Sequence, residues 1–161
     1  MADIEFRIRR ATPADAAALG QLGAMLWRVH HAWDRSRFIP PSPDAEAHYR
    51  AFLASQLADE HAAVLVADRN SAVIGYAFAG LEPGSFKELR DPCGYVHDVA
   101  VSEEGRRIGV ATALIDAATE WLRAKGAPRV VIWTAEQNVP AQRLFEGLGF
   151  RRTMIEMTRE L

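Results

Sequence analysis

The sequence predicts a mixed α/β fold in a single domain, and three observations support this prediction. Two apolar segments, 63–67 and 73–81, flank a short Arg69-Asn-Ser71 turn and predict an antiparallel hairpin. Later, an apolar segment, a strongly amphipathic segment and a second apolar segment follow one another, as in a strand–helix–strand unit. The 161 residues contain no repeat and no linker long enough to divide them. We therefore expect one domain over residues 1–161.

The first half of the chain begins with a strand over 5–10, where polar and apolar residues alternate. Thr12 is a candidate N-cap, and Pro13 suits the first position of the helix that follows. The segment 42–46 opens a second helix in the same way. We expect the hairpin to follow these two helices.

The second half predicts three strand segments and two helices. A strand over 95–101 precedes a helix over 109–124, which Gly126 and Pro128 end. The nearly all-apolar segment 129–134 predicts a strand that is buried on both faces. A short helix over 138–147 follows, and 150–157 predicts one or two final strands. The complete sheet is expected to be mostly antiparallel, with about six or seven strands.

Composition excludes several classes of partner. Lys and Arg total 19 against 21 Asp and Glu, a net charge of −2, so no overall basic surface for nucleic acid is expected. The longest apolar runs are far shorter than the roughly 20 residues that a membrane helix needs. Cys93 is the single cysteine, which rules out an intrachain disulfide and fits a cytoplasmic protein.

The turn Gly105-Arg-Arg-Ile-Gly-Val-Ala111 connects the strand at 95–101 to the strongest helix. A helix N-terminus presents unpaired backbone N–H groups and a positive dipole end, which favour a phosphate. Gly109 has no Cβ to obstruct such a group, and two arginines add positive charge. These features predict a pocket for a long ligand with a phosphorylated end.

Two motifs, the first in this turn and the second later in the chain, resemble those of the GNAT superfamily of N-acetyltransferases. The family's turn is Arg/Gln-x-x-Gly-x-Gly/Ala, and here Arg106-x-x-Gly109-x-Ala111 matches it. The later motif, Asn-x-x-Ala-x-x-Leu-Tyr-x-x-x-Gly-Phe, is matched from Asn138 to Phe150 except that Phe145 replaces the tyrosine. A dinucleotide-binding interpretation fits less well, because the full Gly-x-Gly-x-x-Gly pattern is missing. The resemblance implies a GNAT-like sheet with helices on both faces.

The resemblance also implies that acetyl-CoA is the acyl donor and that no metal is needed. In this family the pantetheine lies along the fourth strand, here at Val99, Ala100 and Val101. The pyrophosphate lies on backbone amides at the start of the next helix, here those of Arg107, Ile108, Gly109, Val110, Ala111 and Thr112. Arg106 adds charge. Asn138 reaches the pantetheine or holds the separated strands, and Phe145 lines its channel.

Tyr95 and His97 are the candidate catalytic residues. They lie two apart on a strand, so their side chains share a face, and histidine suits a general base near neutral pH. Asp98 points to the other face unless a β-bulge intervenes. By family analogy the backbone N–H of Val99 stabilises the oxyanion. A route through Cys93 is disfavoured, because the sequence shows no electropositive setting for that thiol.

Phe145 stands where the family's tyrosine protonates the departing thiolate, and phenylalanine has no proton to donate. Three interpretations stay open. The thiolate leaves unaided, or Tyr95 or water supplies the proton, or the chain binds acyl-CoA without fast turnover. The last would make it a sensing or regulatory domain instead of an enzyme.

The acceptor is expected beside the segment between the first two helices, which is rich in aromatic and ionisable residues. His30, Trp33 and Arg37 are its candidate contacts, and Trp133 is a candidate wall of the acceptor pocket. A small-molecule amine and a protein amine both fit. The adjacent His30 and His31 lack the spacing of a zinc site. The resemblance is also compatible with a homodimer.

Overall fold

A computed structural model of the protein describes residues 6–161, and a five-stranded sheet organises them. The start of the first predicted strand, residue 5, lies outside the described residues. Along the chain the main elements are β1 Arg7–Arg10, α1 Ala16–Trp33, α2 Ala45–Gln56, β2 Ala62–Arg69, β3 Ala72–Glu82, β4 Cys93–Val101, α3 Val110–Ala124, β5 Val130–Ile132 and α4 Val139–Gly147.

The strands lie side by side in the order β1-β2-β3-β4-β5. All neighbours are antiparallel except β4 and β5, which run parallel across the α3 connection. One face of the sheet packs on α3 through Leu114 and Leu122, and the other packs on α1 and α2 through Leu19 and Leu53. The predicted mixed sheet with helices on both faces is confirmed.

The hairpin between β2 and β3 forms because its turn residues adopt left-handed backbone angles. Asn70 and Ser71 have φ values of 53° and 66°, as a two-residue turn matching the strand twist requires. The carboxylate of Asp68 accepts a hydrogen bond from the Ser71 amide at 3.0 Å. This turn fixes the register that carries β3 alongside β4.

Two glycines with positive φ bound α3. Gly109, with a φ of 86°, precedes its first residue, and Gly126, with a φ of 85°, follows its end. At the C-terminus the amides of Gly126 and Ala127 donate to the carbonyls of Arg123 and Leu122, at 2.9 and 3.0 Å. This is the Schellman pattern, which satisfies carbonyls left free by the last turn. The predicted helix over 109–124 is confirmed.

The prediction of six or seven strands is wrong, since the sheet has five. Residues 150–161 form no strand, and 151–161 are exposed. A strand exists only where a neighbouring backbone pairs with it. This segment instead contacts the rest of the chain through side chains, such as Arg152 with Glu146 at 3.0 Å. Apolar alternation alone does not show whether a sheet edge is available.

The fifth strand is shorter and more exposed than the sequence suggests. Only Val130–Ile132 of the predicted segment 129–134 pairs with β4, and each of the three residues is half-buried. β5 is the outer strand of the described sheet, so its outer edge is uncovered. An all-apolar run therefore did not mean burial on both faces here.

A buried ion cluster fastens β1 to the chain that enters α1. The guanidinium of Arg9 binds both carboxylate oxygens of Asp15 at 2.8 Å and Asp68 at 2.8 Å. The Thr12 amide donates to Asp15 at 2.7 Å. The hydrogen bond from Arg9 lowers the pKa of Asp15 from 3.8 to about 2, although burial opposes this. The ionised cluster holds the first strand against the hairpin.

We expect Asp15→Asn to lower the free energy of unfolding by about 1–2 kcal/mol at neutral pH, allowing for solvent screening of the guanidinium. Because the folded pKa is depressed, this contribution is present above pH 3.8 and is lost as the pH falls towards 2. Urea denaturation at several pH values measures it. Asp116→Asn, at an exposed site on α3, is the control. Equal losses for both variants would contradict the role of the cluster.

Candidate active site

A β-bulge in β4 brings two ionisable residues to one side of the sheet. Phe78 pairs with Asp98, but the next residue, Ala79, pairs with Val96, so His97 is the extra residue. His97 and Asp98 consequently line the same cavity. Regular alternation would have placed them on opposite faces. The bulge that the sequence left open is therefore present.

His97 is held between aromatic rings and beside a carboxylate. Its ring stacks on Tyr95, with centroids 5.1 Å apart and planes 12° apart, and on Phe78 at 4.9 Å. Its Nε2 atom lies 3.0 Å from Oε1 of Glu82, and its side chain is 30% exposed. At this distance the carboxylate can accept a hydrogen bond from Nε2 and so orient the ring.

Sequence reasoning missed Glu82. It is the last residue of β3 and pairs with Cys93, two residues before Tyr95. Alternation then places Glu82 on the face that Tyr95 and His97 share. Predicting this position requires the register of β3 against β4, and the length of the loop over 83–92 prevents that register from being read from the sequence.

Asp98 occupies a drier position than His97. One of its carboxylate oxygens accepts a hydrogen bond from the Tyr76 hydroxyl at 3.0 Å, and Tyr76 is fully buried. Burial raises the pKa of Asp98 above its usual range, although the Tyr76 hydrogen bond partly offsets this. Burial also raises the pKa of Tyr95 to about 12, so its phenol is neutral at physiological pH.

One edge of β4 is open beyond the bulge. β4 pairs with β5 only over Gly94–Val96, while its pairing with β3 continues to Val101. Residues 97–101 thus have no β5 partner within the described part of the chain. Their outward backbone groups are available to an extended ligand that pairs like a strand. Val99, Ala100 and Val101 lie on this edge.

The open edge leads to the turn that starts α3. Arg107 and Gly109 both have positive φ, 63° and 86°, and Ile108 lies between them. Such alternation turns successive N–H groups towards a common point and forms an anion-binding concavity. Arg106 and Arg107 are exposed, and a Cβ at Gly109 would meet no atom within 4 Å. The turn and the first residues of the helix, Val110, Ala111 and Thr112, can receive a diphosphate.

A cavity of about 470 Å³ lies on the other side of the bulge, between α1, α2 and the sheet. It is lined by Trp27, Ile39, His48, Tyr49, Phe52, Phe78, His97 and Asp98. A smaller cavity of about 240 Å³ adjoins it at His97 and includes Glu82, Tyr95 and Trp133. His97 belongs to both cavities, so it lies between them.

Three of the predicted acceptor contacts lie outside the lining of both cavities. Nδ1 of His30 lies 2.8 Å from the Leu26 carbonyl oxygen, and the ring packs against Trp33 and Phe38. Arg37 forms an ion pair with Glu156. The cavity instead takes Trp27 and Ile39 from this region and further aromatic residues from α2. The acceptor roles of His30, Trp33 and Arg37 stay predictions.

Asn138, Phe145 and Trp133 have clear structural contacts. The Asn138 side chain accepts a hydrogen bond from the Ala141 amide at 3.3 Å and caps α4. Phe145 packs against Phe150, with ring centroids 6.0 Å apart. Trp133 is exposed and packs edge-to-face on Tyr95 at 5.8 Å. Trp133 therefore lies beside a predicted catalytic residue, and pantetheine contacts of the other two stay predictions.

Within residues 6–161, His, Cys, Asp and Glu side chains form no cluster of three or more that could hold a metal ion. The same part of the chain contains no helix of the length and apolar character required to cross a membrane.

The family model described as the acetyltransferase (GNAT) family matches residues 26–150. The chain belongs to this family. It is also similar to aminoglycoside N(6')-acetyltransferase type 1 of Stenotrophomonas maltophilia, with 29% identity over 148 residues, covering 91% of this chain and 86% of the relative. This match extends the relationship over nearly the whole GNAT chain.

Two further similarities bear on length and on fold. Mycothiol acetyltransferase of Thermomonospora curvata is 31% identical over 96 residues, which are 60% of this chain and 30% of that protein. The chain thus spans about a third of the length of that relative. Aminoglycoside N-acetyltransferase AAC(6')-Iy, solved in complex with CoA, superposes with a TM-score of 0.78 at 22% identity, covering 98% and 95% of the two chains. This likeness shows the GNAT fold.

Proposed function

We propose that the chain is an N-acetyltransferase that transfers an acetyl group from acetyl-CoA to a primary amine by direct attack in a ternary complex. The observation that carries the proposal is the open edge of β4, which runs from His97 to the anion-binding turn at Gly109. Membership of the GNAT family and relatives named as acetyltransferases support it. A cytoplasmic location and a homodimer remain parts of the proposal.

Backbone groups bind most of the coenzyme in this proposal. The pantetheine amides pair with the free edge at Val99–Val101 as an added strand would. The diphosphate accepts hydrogen bonds from the amides of residues 107–112 at the positive end of the α3 dipole. Arg106 and Arg107 add charge-assisted contacts. The thioester then lies near the bulge, where His97 is located.

The reaction needs a neutral amine, and His97 supplies the base. The imidazole takes a proton from the acceptor ammonium, directly or through water, while Glu82 stabilises the resulting charge. The amine nitrogen attacks the thioester carbon, and the backbone N–H of Val99 stabilises the oxyanion. The C–N bond forms, the C–S bond breaks, and the coenzyme leaves as a thiolate that is protonated to the thiol.

The thiolate leaves without a protein acid in this proposal. Phe145 has no proton to give. The Tyr95 phenol, with a pKa of about 12, holds its proton more tightly than a thiol with an ordinary pKa of about 8.5. Transfer from Tyr95 to the thiolate is therefore unfavourable, and water protonates the product after release.

Direct transfer is preferred to a covalent route through Cys93. Arg90 donates to the Cys93 sulfur at 3.0 Å, an electropositive contact that the sequence did not reveal. The thiol is nevertheless only 2% exposed and belongs to the lining of neither cavity. An acyl group on this sulfur would have no space beside the acceptor.

The deciding experiment measures coenzyme binding and turnover separately. Calorimetry with CoA tests the binding site, and thiol release from acetyl-CoA against a panel of amines tests transfer. Acceptor-dependent thiol release with an N-acetylated product supports the enzyme. Tight CoA binding without such release would instead identify a sensing domain, the alternative that Phe145 supports. Absence of CoA binding would contradict both.

Gly109→Val should weaken CoA binding at least tenfold, because a side chain would fill the concavity and strain a positive φ. Gly126→Val is a matched control, since Gly126 has nearly the same φ, equally open surroundings and a place at the opposite end of α3. Both variants should lose similar stability in thermal melts. Calorimetry then separates them, and equal CoA affinities would exclude the turn as the diphosphate site.

His97→Ala should reduce kcat/KM by about 10²- to 10⁴-fold, the usual contribution of a general base. Glu82→Gln should reduce kcat about tenfold and leave CoA affinity unchanged, because it removes only the charge beside the imidazole. Glu60→Gln is the control, since Glu60 faces His61 at the surface at 3.7 Å. Wild-type rates in His97→Ala would remove this residue from the mechanism.

Phe145→Tyr tests whether thiolate protonation limits the rate. With unaided departure we expect kcat to change less than about twofold, well below the tenfold or greater effect typical of a catalytic acid. Phe150→Tyr, a change at its packing partner, is the control for altered packing. A large rise confined to Phe145→Tyr would show that proton delivery is limiting.

A further inference from the structure

We propose that the 470 Å³ cavity selects the acceptor as a compact amine with an aromatic or branched aliphatic body, whose ammonium group pairs with Asp98. This inference rests on the proposed acetyl transfer and names its substrate class. The cavity adjoins His97, so an amine held there lies beside the proposed base. Its volume is within the range of small-molecule sites, about 300–1,000 Å³.

The walls of the cavity are mainly apolar. Trp27, Tyr49, Phe52 and Phe78 form a connected set of rings, with successive centroids 6.2, 6.5 and 5.5 Å apart. Ile39, from the loop between α1 and α2, adds an aliphatic side chain to the lining. Burying an apolar body here gains roughly 25 cal/mol per Å² removed from water. A ligand without such a body would forgo this gain.

Two polar groups of the walls are already engaged within the protein. The Trp27 indole N–H donates to the Ile39 carbonyl at 2.8 Å. Nδ1 of His48 lies 3.0 Å from the Ser42 hydroxyl. A ligand with many hydroxyl groups would therefore find few partners there, and each hydrogen bond to water that it loses without replacement costs about 1–3 kcal/mol. This argues against an aminoglycoside as the acceptor, although one relative is named as an aminoglycoside acetyltransferase.

Asp98 supplies the one carboxylate among the lining residues of this cavity. Tyr76 binds one of its oxygens from the buried side at 3.0 Å and so orients the group. Within residues 6–161 the second oxygen has no hydrogen-bond donor, and the side chain borders the cavity. A cation is the ligand group that compensates a carboxylate in an apolar wall. The surrounding rings also attract an ammonium through their faces.

Small test compounds can separate the contribution of the aromatic ring to binding from that of the positive charge. Benzylamine carries both, benzyl alcohol lacks the charge, and ethylamine lacks the ring. N,N-dimethylbenzylamine keeps both but yields no stable amide, so its binding is measured without turnover. In calorimetry with CoA present, we expect the dimethyl compound to bind at least tenfold more tightly than benzyl alcohol or ethylamine. Benzylamine should also exceed kanamycin, spermidine and a Met-initiated peptide in kcat/KM.

Two variants test the contact with the Asp98 carboxylate and the contact with the aromatic wall separately. Asp98→Asn should weaken the binding of N,N-dimethylbenzylamine at least tenfold, while its amide oxygen can still accept the Tyr76 hydrogen bond. Phe52→Ala, at a ring that is 45% exposed, should weaken the binding of the dimethyl compound severalfold. Phe86→Ala, at a ring that is 92% exposed and outside the lining, is the matched control and should bind like the wild type. Phe52→Ala keeps the test valid if Asp98→Asn fails to fold.

The outcomes distinguish the two proposals. If CoA binds but the dimethyl compound does not, or if kanamycin, spermidine or the peptide is the best acceptor, the acceptor class is overturned and the transferase remains. Unchanged affinity in both Asp98→Asn and Phe52→Ala would also overturn it. If CoA itself fails to bind, the proposed function fails first.

Discussion

The separation of β4 from β5 is the constraint on which the site depends. The parallel pairing stops at Val96 and Ile132, and the next residue of β4 is the bulged His97. Continued pairing would cover the strand edge and leave no open backbone groups beside the α3 turn. A regular β4 would turn Asp98 away from the cavity that His97 lines. The end of the β5 pairing leaves a free edge, and the adjacent bulge brings two ionisable groups to one face.

The two ionisable groups differ because the bulge places them at different depths. His97, the proposed base, reaches a partly exposed position beside Glu82, within reach of water. Asp98 is anchored by the buried Tyr76, where burial disfavours its charge until a cation arrives. The proposed mechanism accordingly gives these adjacent residues separate tasks, with proton transfer at His97 and acceptor binding at Asp98.

Most helices, the hairpin and the α3 turn follow from local signals in the sequence. Gly109, Gly126 and the 69–71 turn specify backbone angles that few other residues adopt. Strand pairing, in contrast, depends on residues far apart in the chain. An apolar pattern that forms a paired strand in β3 leaves residues 150–161 without a strand partner. Glu82 was missed for the same reason, since its position beside His97 depends on register across a loop. Candidate site residues were therefore predictable where they lie on one continuous segment, as Tyr95 and His97 do on β4.

The architecture also explains why family membership leaves the acceptor open. The proposed coenzyme site consists of backbone on β4 and the start of α3, so many side chains are compatible with it. The cavity, in contrast, is made of side chains, most of them from α1, α2 and the loop between them, with Phe78, His97 and Asp98 added by the sheet. If this cavity is the acceptor site, as proposed, substitutions there would change the acceptor without altering the strand edge or the turn. A relative named as an aminoglycoside acetyltransferase could then share this fold with a chain whose aromatic cavity binds a different amine.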